Sequence, residues 1–349
     1  MNPITLSGAP GSPYTRKMVS LMRYRRIPYK LLQFGLAGPP GLPKGKVALL
    51  PTFYLPNALG ELEAIVDSTP IIRRLERDFE NERSVLPSHP VTAFIDYLLE
   101  DYADEWLTKA MFHYRWHYAG DAEKAGKILP RWSRIAAPEA EIATMTKFIV
   151  DRQVSRLYVV GSNAITAPVI EASYERFLRL LDAHLTLYPF LMGNRPGASD
   201  FGVFGQLTQL THFDPTPMAL TMKLAPRVYA WVEIGEDLSG LEPKDSDWLD
   251  AANIPSTTIA LLTEFGRVYV PALLANAKAI ANGEATFETE IDGKPWKQQS
   301  FPYQAKCLQW IRNAYADLSG GDRAAIDKIL SGTGCAVLFQ TIACASTPR

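Results

Sequence analysis

Cysteine is scarce in this chain of 349 residues, and Cys307, Cys335 and Cys344 all fall within its last 43 positions. An odd number of thiols with no secretory pattern ahead of them speaks against a disulfide framework and for reduced cysteines in a reducing compartment. A dominant charge is lacking too: 36 Lys and Arg stand against 37 Asp and Glu, for a net charge of −1. No global attraction to nucleic acid or to an anionic membrane follows from that balance. The opening Met1-Asn2-Pro3-Ile4-Thr5 is not a basic segment leading into an apolar core, and no run of about 18 apolar residues is apparent. These absences predict a soluble, cytoplasmic protein with neither nucleic-acid nor membrane partners. The length exceeds one typical domain and predicts two domains plus an addition.

What is present begins at the amino terminus. Ile4-Thr5-Leu6-Ser7 is a short apolar run stopped by Gly8-Ala9-Pro10-Gly11, a strand delivered into a tight turn. Ser12 is then a natural N-cap and Pro13 suits the first helical position, where its missing N–H would be unpaired anyway. Tyr14, Met18, Leu21 and Met22 recur at helical spacing. Further strands are predicted at 29–34, 52–55 and 61–66, the last two joined by the turn Pro56-Asn57-Ala58-Leu59-Gly60. A helix carrying Ile71, Ile72 and Leu75 comes after Asp67-Ser68-Thr69.

The order β-α-β then β-β-α, with Pro51 just before the third strand, is the pattern of the thioredoxin fold, in which that proline is usually cis. Ser12-Pro13-Tyr14-Thr15-Arg16-Lys17, Ala48-Leu49-Leu50-Pro51-Thr52-Phe53 and Asp67-Ser68-Thr69-Pro70-Ile71-Ile72 resemble the amino-terminal domain of the glutathione S-transferase superfamily. Farther on, residues 190–201 and Ala225-Pro226-Arg227-Val228-Tyr229-Ala230-Trp231 are similar to the family's helical carboxy-terminal domain. The resemblance implies a thioredoxin-like α/β domain over 1–80 and an all-α domain over 88–243, with a mostly helical extension over 244–349. It also implies glutathione as co-substrate, a small hydrophobic electrophile as second substrate, and a homodimer.

Where redox enzymes of the thioredoxin fold place a cysteine, this chain has Ser12, which disfavours thiol–disulfide exchange. A serine hydroxyl with no base beside it is a poor nucleophile, but it can donate to a thiolate. Lowering a thiol pKa by about two units takes roughly 2.7 kcal/mol. A charge-assisted hydrogen bond supplies about 1.5–3 kcal/mol, and a helix N-terminus adds about 0.3–1. In the serine and cysteine classes of the family the catalytic residue occupies this place, so Ser12 is the first candidate, with Tyr14 and Thr15 as reserve donors.

The resemblance further assigns the tripeptide to Leu50, Pro51, Asp67 and Ser68. A cis Pro51 leaves the Leu50 backbone to pair with the cysteinyl unit, while Asp67 and Ser68 offer carboxylate, hydroxyl and N–H groups to the γ-glutamyl end. Lys46, with Lys44, lies in the Gly/Pro-rich loop 35–47 and is a candidate for the glycyl carboxylate. Taken singly, Ser12 is equally a plain N-cap, Pro51 a turn proline and Asp67-Ser68 an ordinary helix start.

Residues 90–118 predict one long helix whose apolar face carries Val91, Phe94, Ile95, Leu98, Leu99, Tyr102 and Trp106. By the family's pattern its middle walls the electrophile pocket, which nominates Trp106, Met111, His113 and Arg115. His113 and His117 share a helix face, but no Glu sits between them in the zinc-protease pattern and no third ligand is evident, so no metal is expected. At the entry to the family's buried helix a Ser or Thr cap normally precedes Asp by three residues; here Gly197 stands at the cap and Asp200 comes next, half of a capping box. Asp200 is therefore expected to serve folding, with Ser199 a substitute cap.

Beyond Lys244, a helix is predicted over 254–281 with Pro271 kinking or dividing it. Asp292-Gly293 marks a hairpin between 287–291 and 294–298, and helices are predicted at 302–318 and 322–330. This addition either covers the mouth of the site or builds a subunit contact. The expected activity is activation of the glutathione thiol for attack on an electrophile; the alternative is a non-catalytic binding or scaffold protein on the same fold.

Overall fold

Alternating apolar residues place the first strand in the centre of a sheet. The computed structural model describes residues 3–34 and 38–340, so Cys344 and the start of the 35–47 loop lie outside it. Strand β1 (Ile4–Ser7) runs parallel to β2 (Tyr29–Leu32) on one side, with Ile4 opposite Tyr29. On its other side it runs antiparallel to β3 (Thr52–Pro56), with Leu6 opposite Phe53. Strand β4 (Leu62–Ile65) closes the order β2-β1-β3-β4. Helices α1 (Pro13–Tyr24) and α2 (Ser68–Asp78) bury Met18, Leu21, Met22, Ile71, Ile72 and Leu75, the positions that the helical period predicts. This is the thioredoxin-like arrangement, with a cis Leu50–Pro51 peptide bond.

The all-helical part comprises α3 (Pro90–Tyr102), α4 (Thr108–His117), α5 (Ala119–Ser133), α6 (Glu139–Val154), α7 (Ala167–His184), α8 (Ala198–His212), α9 (Pro215–Leu224) and α10 (Pro226–Gly235). The single helix expected over 90–118 is interrupted by a π-helical turn at Ala103–Leu107. Such a turn inserts one residue into the ladder and re-aims the side chains after it.

Helix α8 is the hub. Every residue from Ala198 to Thr211 is buried, and it lies against both α1 and α3. A Cβ on Gly205 would come within 2.5 Å of the Pro13 carbonyl oxygen, so glycine there sets how closely α8 approaches the start of α1. At its N-terminus Asp200 accepts the Gly197 N–H (2.9 Å) and the Leu191 N–H (2.8 Å), as its expected role in folding requires. The missing cap side chain is supplied from elsewhere: Asp96 of α3 accepts the N–H groups of Ala198 (3.2 Å) and Ser199 (3.0 Å). A Cβ at Gly197 would lie 2.3 Å from Asp96 Oδ1. The glycine that breaks the capping box is thus the residue that admits the distant carboxylate, and the Ser199 side chain takes no part in capping its own helix.

The extension comprises α11 (Ser256–Glu264), α12 (Val270–Ala281), a hairpin of β5 (Thr286–Ile291) and β6 (Lys294–Gln299), α13 (Pro302–Ala316) and α14 (Gly320–Leu330). A second π-helical turn, Phe265–Tyr269, precedes Pro271 and divides the helix where the proline lacks an N–H. The combined helix Ser256–Ala281 is long and apolar enough to cross a membrane by length and composition, an exception to the expectation that no such stretch occurs, but most of it is buried inside the protein. Asp292 and Gly293 both take positive φ (54° and 69°), as a two-residue hairpin turn demands. The extension is no appendage: Phe265, Leu273, Trp296, Ile311 and Leu338 belong to the same hydrophobic core as Leu6, Leu98 and Phe204.

Candidate functional site

Ser12 ends the β1–α1 turn in extended geometry, and its side chain caps α1 by accepting the Thr15 N–H at 3.2 Å. Its hydroxyl donates to the Leu50 carbonyl at 3.3 Å, so the helix start and the turn before cis Pro51 meet at this atom. Residue 12 therefore faces the predicted neighbour across 38 positions of sequence. It is half-buried.

The turn feeding Ser12 is held from the helical part. Arg115 donates to the Gly11 carbonyl (2.9 Å), forks onto Asp214 and reaches Gln209 Oε1 (2.7 Å). Gln209 in turn donates to the Pro10 carbonyl (3.1 Å). A planar guanidinium with five donors suits such a multi-point clamp. Arg115 was expected on a pocket wall; buried and fully engaged, it instead fixes the backbone that presents Ser12.

Tyr14 also departs from its expected role. Its hydroxyl donates to the Asp104 carbonyl at 2.7 Å, and burial, reinforced by Glu105 and Asp104, pushes the phenol well above its ordinary value. It ties α1 to the π turn and is not a spare donor toward a thiol. Thr15, the other reserve, is buried and accepts the Ala9 N–H at 3.3 Å.

A buried ionic group that sequence reasoning missed lies beneath the start of α2. Lys17 Nζ donates to Ser68 Oγ (3.1 Å), Glu100 Oε1 (2.8 Å) and Asp104 Oδ2 (2.6 Å). Burial pulls the ammonium down, but Asp104 and Glu100 outweigh it and hold Lys17 protonated. The two carboxylates share that one ammonium unequally: Glu100 is drawn below its ordinary value by Lys17 and Arg73 against the pull of burial, whereas burial lifts Asp104 to about 6. The signal was there to read, since Lys17 falls on the apolar stripe between Tyr14 and Leu21, and Glu100 and Asp104 are one helical turn apart. Ser68 was expected to meet the ligand through its hydroxyl; that oxygen is buried and receives Lys17.

Asp67 stands just ahead of α2 with φ +86° and ψ 106°, and its side chain does not cap its own helix. A non-glycine residue in this region is strained, and such strain gathers at ligand clamps. Its carboxylate accepts the hydroxyl of Tyr303, from the first turn of α13, at 2.8 Å. Lys44 and Lys46 are both exposed on the loop ahead of β3.

The pocket-wall expectation for the π turn and α4 is not met. Trp106 is buried, donates to Ser173 Oγ (3.1 Å) and packs against Trp296 and Tyr269 of the extension, with ring centroids 5.3 Å and 6.4 Å away. His113 is buried between Ser162 (2.8 Å) and Glu171 (3.1 Å), and burial lowers its pKa. His117 stacks on its ring at 4.6 Å. Met111 is buried as well. Among the described residues no group of three or more His, Cys, Asp or Glu is placed to hold a metal ion. An open groove of about 360 Å³ runs along α7, lined by Pro168, Glu171, Ala172, Glu175, Arg176 and Arg179, and shares no residue with the Ser12 face.

Two family models match the chain: the glutathione S-transferase N-terminal domain over residues 6–83 and the glutathione S-transferase C-terminal domain over residues 148–233. No curated protein matches. Among solved structures the chain is similar to a glutathione transferase family member from Pseudomonas fluorescens pf-5 with two glutathione bound, at 16% identity and a TM-score of 0.40, covering 67% of this chain and 92% of that one. It is similar to the tau class glutathione S-transferase of mango, Mangifera indica, at 16% identity and a TM-score of 0.39, covering 70% and 94%. A glutathione transferase from Pseudomonas putida with glutathione disulfide bound overlaps at 15% identity and a TM-score of 0.39, covering 67% and 90%. With the two domain models matched in order along the chain, on a thioredoxin-like sheet succeeded by an all-helical part, this protein belongs to the glutathione S-transferase superfamily.

Proposed function

We propose that this protein binds glutathione across Ser12, Leu50 and Asp67 and uses the bound thiol, as thiolate, to attack a small hydrophobic electrophile. The observation that carries the reading is the meeting of the Ser12 hydroxyl with the Leu50 carbonyl at the turn before Pro51. A cysteinyl unit pairing with the Leu50 backbone would set its sulfur beside that hydroxyl. Ser12 then redirects its single proton from a neutral carbonyl to an anionic sulfur. The bond given up is worth about 1 kcal/mol and the one gained about 1.5–3, with about 0.3–1 more from the N-terminus of α1.

Asp67 would take the γ-glutamyl ammonium and Lys46 the glycyl carboxylate. The proposal includes a cytoplasmic location and a homodimer, the family's habit; sedimentation finding only a 38.8 kDa species would contradict the dimer. Calorimetric titration with glutathione, with the ultraviolet thiolate band tracked against pH, tests the whole: the expected result is binding with a thiol pKa below that of free glutathione.

One observation favours the scaffold reading. Trp296 and Tyr269 of the extension cover Trp106, on the wall where a second substrate was expected. Binding of glutathione with an unshifted thiol pKa, and no conjugation of any electrophile, would decide for it.

A further inference from the structure

Tyr303 and Asp67 are 236 positions apart, yet the phenol of one donates to the carboxylate of the other at 2.8 Å. Each side of this contact is prepared. Asn276 of α12 accepts the Phe301 N–H (2.7 Å) and donates to the Phe301 carbonyl (2.9 Å), fixing the chain as it enters α13. Gln304 anchors the next residue to the Glu105 carboxylate at 3.1 Å, and the Trp310 ring stands edge-on to the Tyr303 ring at 6.1 Å. On the other side Asp67 is held at positive φ, and its side chain does not cap its own helix.

The charges around Asp67 leave it without a cationic partner among the described residues. Lys17 of α1 is the cation beneath it, and its three donors go to Ser68, Glu100 and Asp104. The other groups acting on this pair are the Thr69 N–H of α2, Glu100 of α3, Asp104 of the π turn, Glu105 beside it and Cys307 of α13, which bring no positive charge. Asp104 Oδ1 is itself buried without a partner. Asp67 is half-buried. A primary ammonium is the group this arrangement lacks. The phenol is a neutral donor on one oxygen, so it orients the carboxylate without cancelling its charge.

We propose that Tyr303, delivered by the carboxy-terminal extension, is a positioning residue of the glutathione site: its hydroxyl sets the Asp67 carboxylate to receive the ammonium of the γ-glutamyl group. This rests on the proposed binding of glutathione. The extension thereby completes the ligand site in the same chain. Burial raises the Asp67 pKa and the Tyr303 hydrogen bond lowers it, so loss of the hydroxyl moves the carboxyl further upward.

The test is Tyr303→Phe in the full chain, which keeps the ring, titrated calorimetrically with glutathione between pH 5 and 8. Affinity is expected to fall about 5–20-fold, less than the loss of a charge-assisted hydrogen bond made directly to the ligand, because the phenol acts through Asp67. The acid limb of the binding profile should move to higher pH. Des-amino glutathione, which lacks the ammonium, should bind wild type and variant alike, and in an Asp67→Asn background Tyr303→Phe should change nothing further. Unchanged affinity with an unmoved acid limb would overturn the proposal, as would tighter binding, which would make the extension an obstruction. An equal loss for the des-amino ligand would also overturn it, by making the effect one of packing. Wild type that binds no glutathione would remove the glutathione reading itself, an outcome distinct from wild type and variant binding equally.

Discussion

Ser12 does two jobs with one oxygen, and its replacement separates them. Ser12→Ala removes the acceptor for the Thr15 N–H, a cap worth about 1 kcal/mol of stability. It also removes the donor toward a bound thiol. The conjugation rate is expected to fall about 10–100-fold, or about 1.4–2.7 kcal/mol, with glutathione affinity nearly unchanged. Steady-state kinetics beside calorimetry checks the split, and an undiminished rate would take the role from Ser12. Lys17 is the contrasting residue, since it is buried away from solvent. Lys17→Met leaves Glu100 and Asp104 buried together without their ammonium, a loss of about 3–5 kcal/mol in denaturant unfolding. An exposed lysine would cost almost nothing, so the experiment also measures how dry the start of α2 is.

At the scale of elements, the telling piece is the N-terminus of α8. Its first N–H groups are satisfied by Asp200 from within and by Asp96 from α3. Asp96→Ala should cost about 1–3 kcal/mol by leaving buried N–H groups unpaired. Because α8 packs on α1, the loss is expected in unfolding midpoint with kcat per folded molecule little changed; a large kcat effect at unchanged stability would refute the assignment. The sequence signalled half of this. Asp200 three residues after the cap is a local pattern, readable without a fold. That Gly197 makes room for a carboxylate about a hundred positions upstream is a fact of packing.

For the molecule as a whole, buried carboxyls set the response to pH. Burial raises Asp96 and Asp101 to about 7, Asp104 to about 6 and Asp200 to about 8, from an ordinary value of 3.8. Between that ordinary value and the raised ones the folded state holds protons that the unfolded chain has released. Stability from these four groups is therefore greatest in acid and declines as pH rises from about 4 to about 8. Glu100, drawn down by Lys17, and His113, His184 and His212, lowered by burial, work in the opposite sense, while burial raises Glu105, Asp214 and Glu264 in the same sense as the four. The melting temperature is expected to be higher near pH 6 than near pH 8, and Asp200→Asn should flatten the slope. A melting temperature that rises over this interval would contradict the assignment.

By itself the sequence determined the order of strands and helices in the amino-terminal domain and in the extension, the turn at Asp292-Gly293, the place of Ser12 at a helix start and the proline before the third strand, but not the helices α5, α6 and α9. Hydrophobic period, caps and turn residues act over a few positions, so each could be read where it stands. It did not reveal the π turns, whose inserted residue leaves the helical pattern of 90–118 nearly intact. Only the tertiary structure decided that Trp106, His113 and Arg115 turn inward, that Tyr14 serves a backbone carbonyl and that Tyr303 reaches Asp67. Those outcomes depend on which surfaces the extension covers and on where a buried charge finds its partner. Such partners stand tens to hundreds of positions apart in the chain, and only the packed core brings them together.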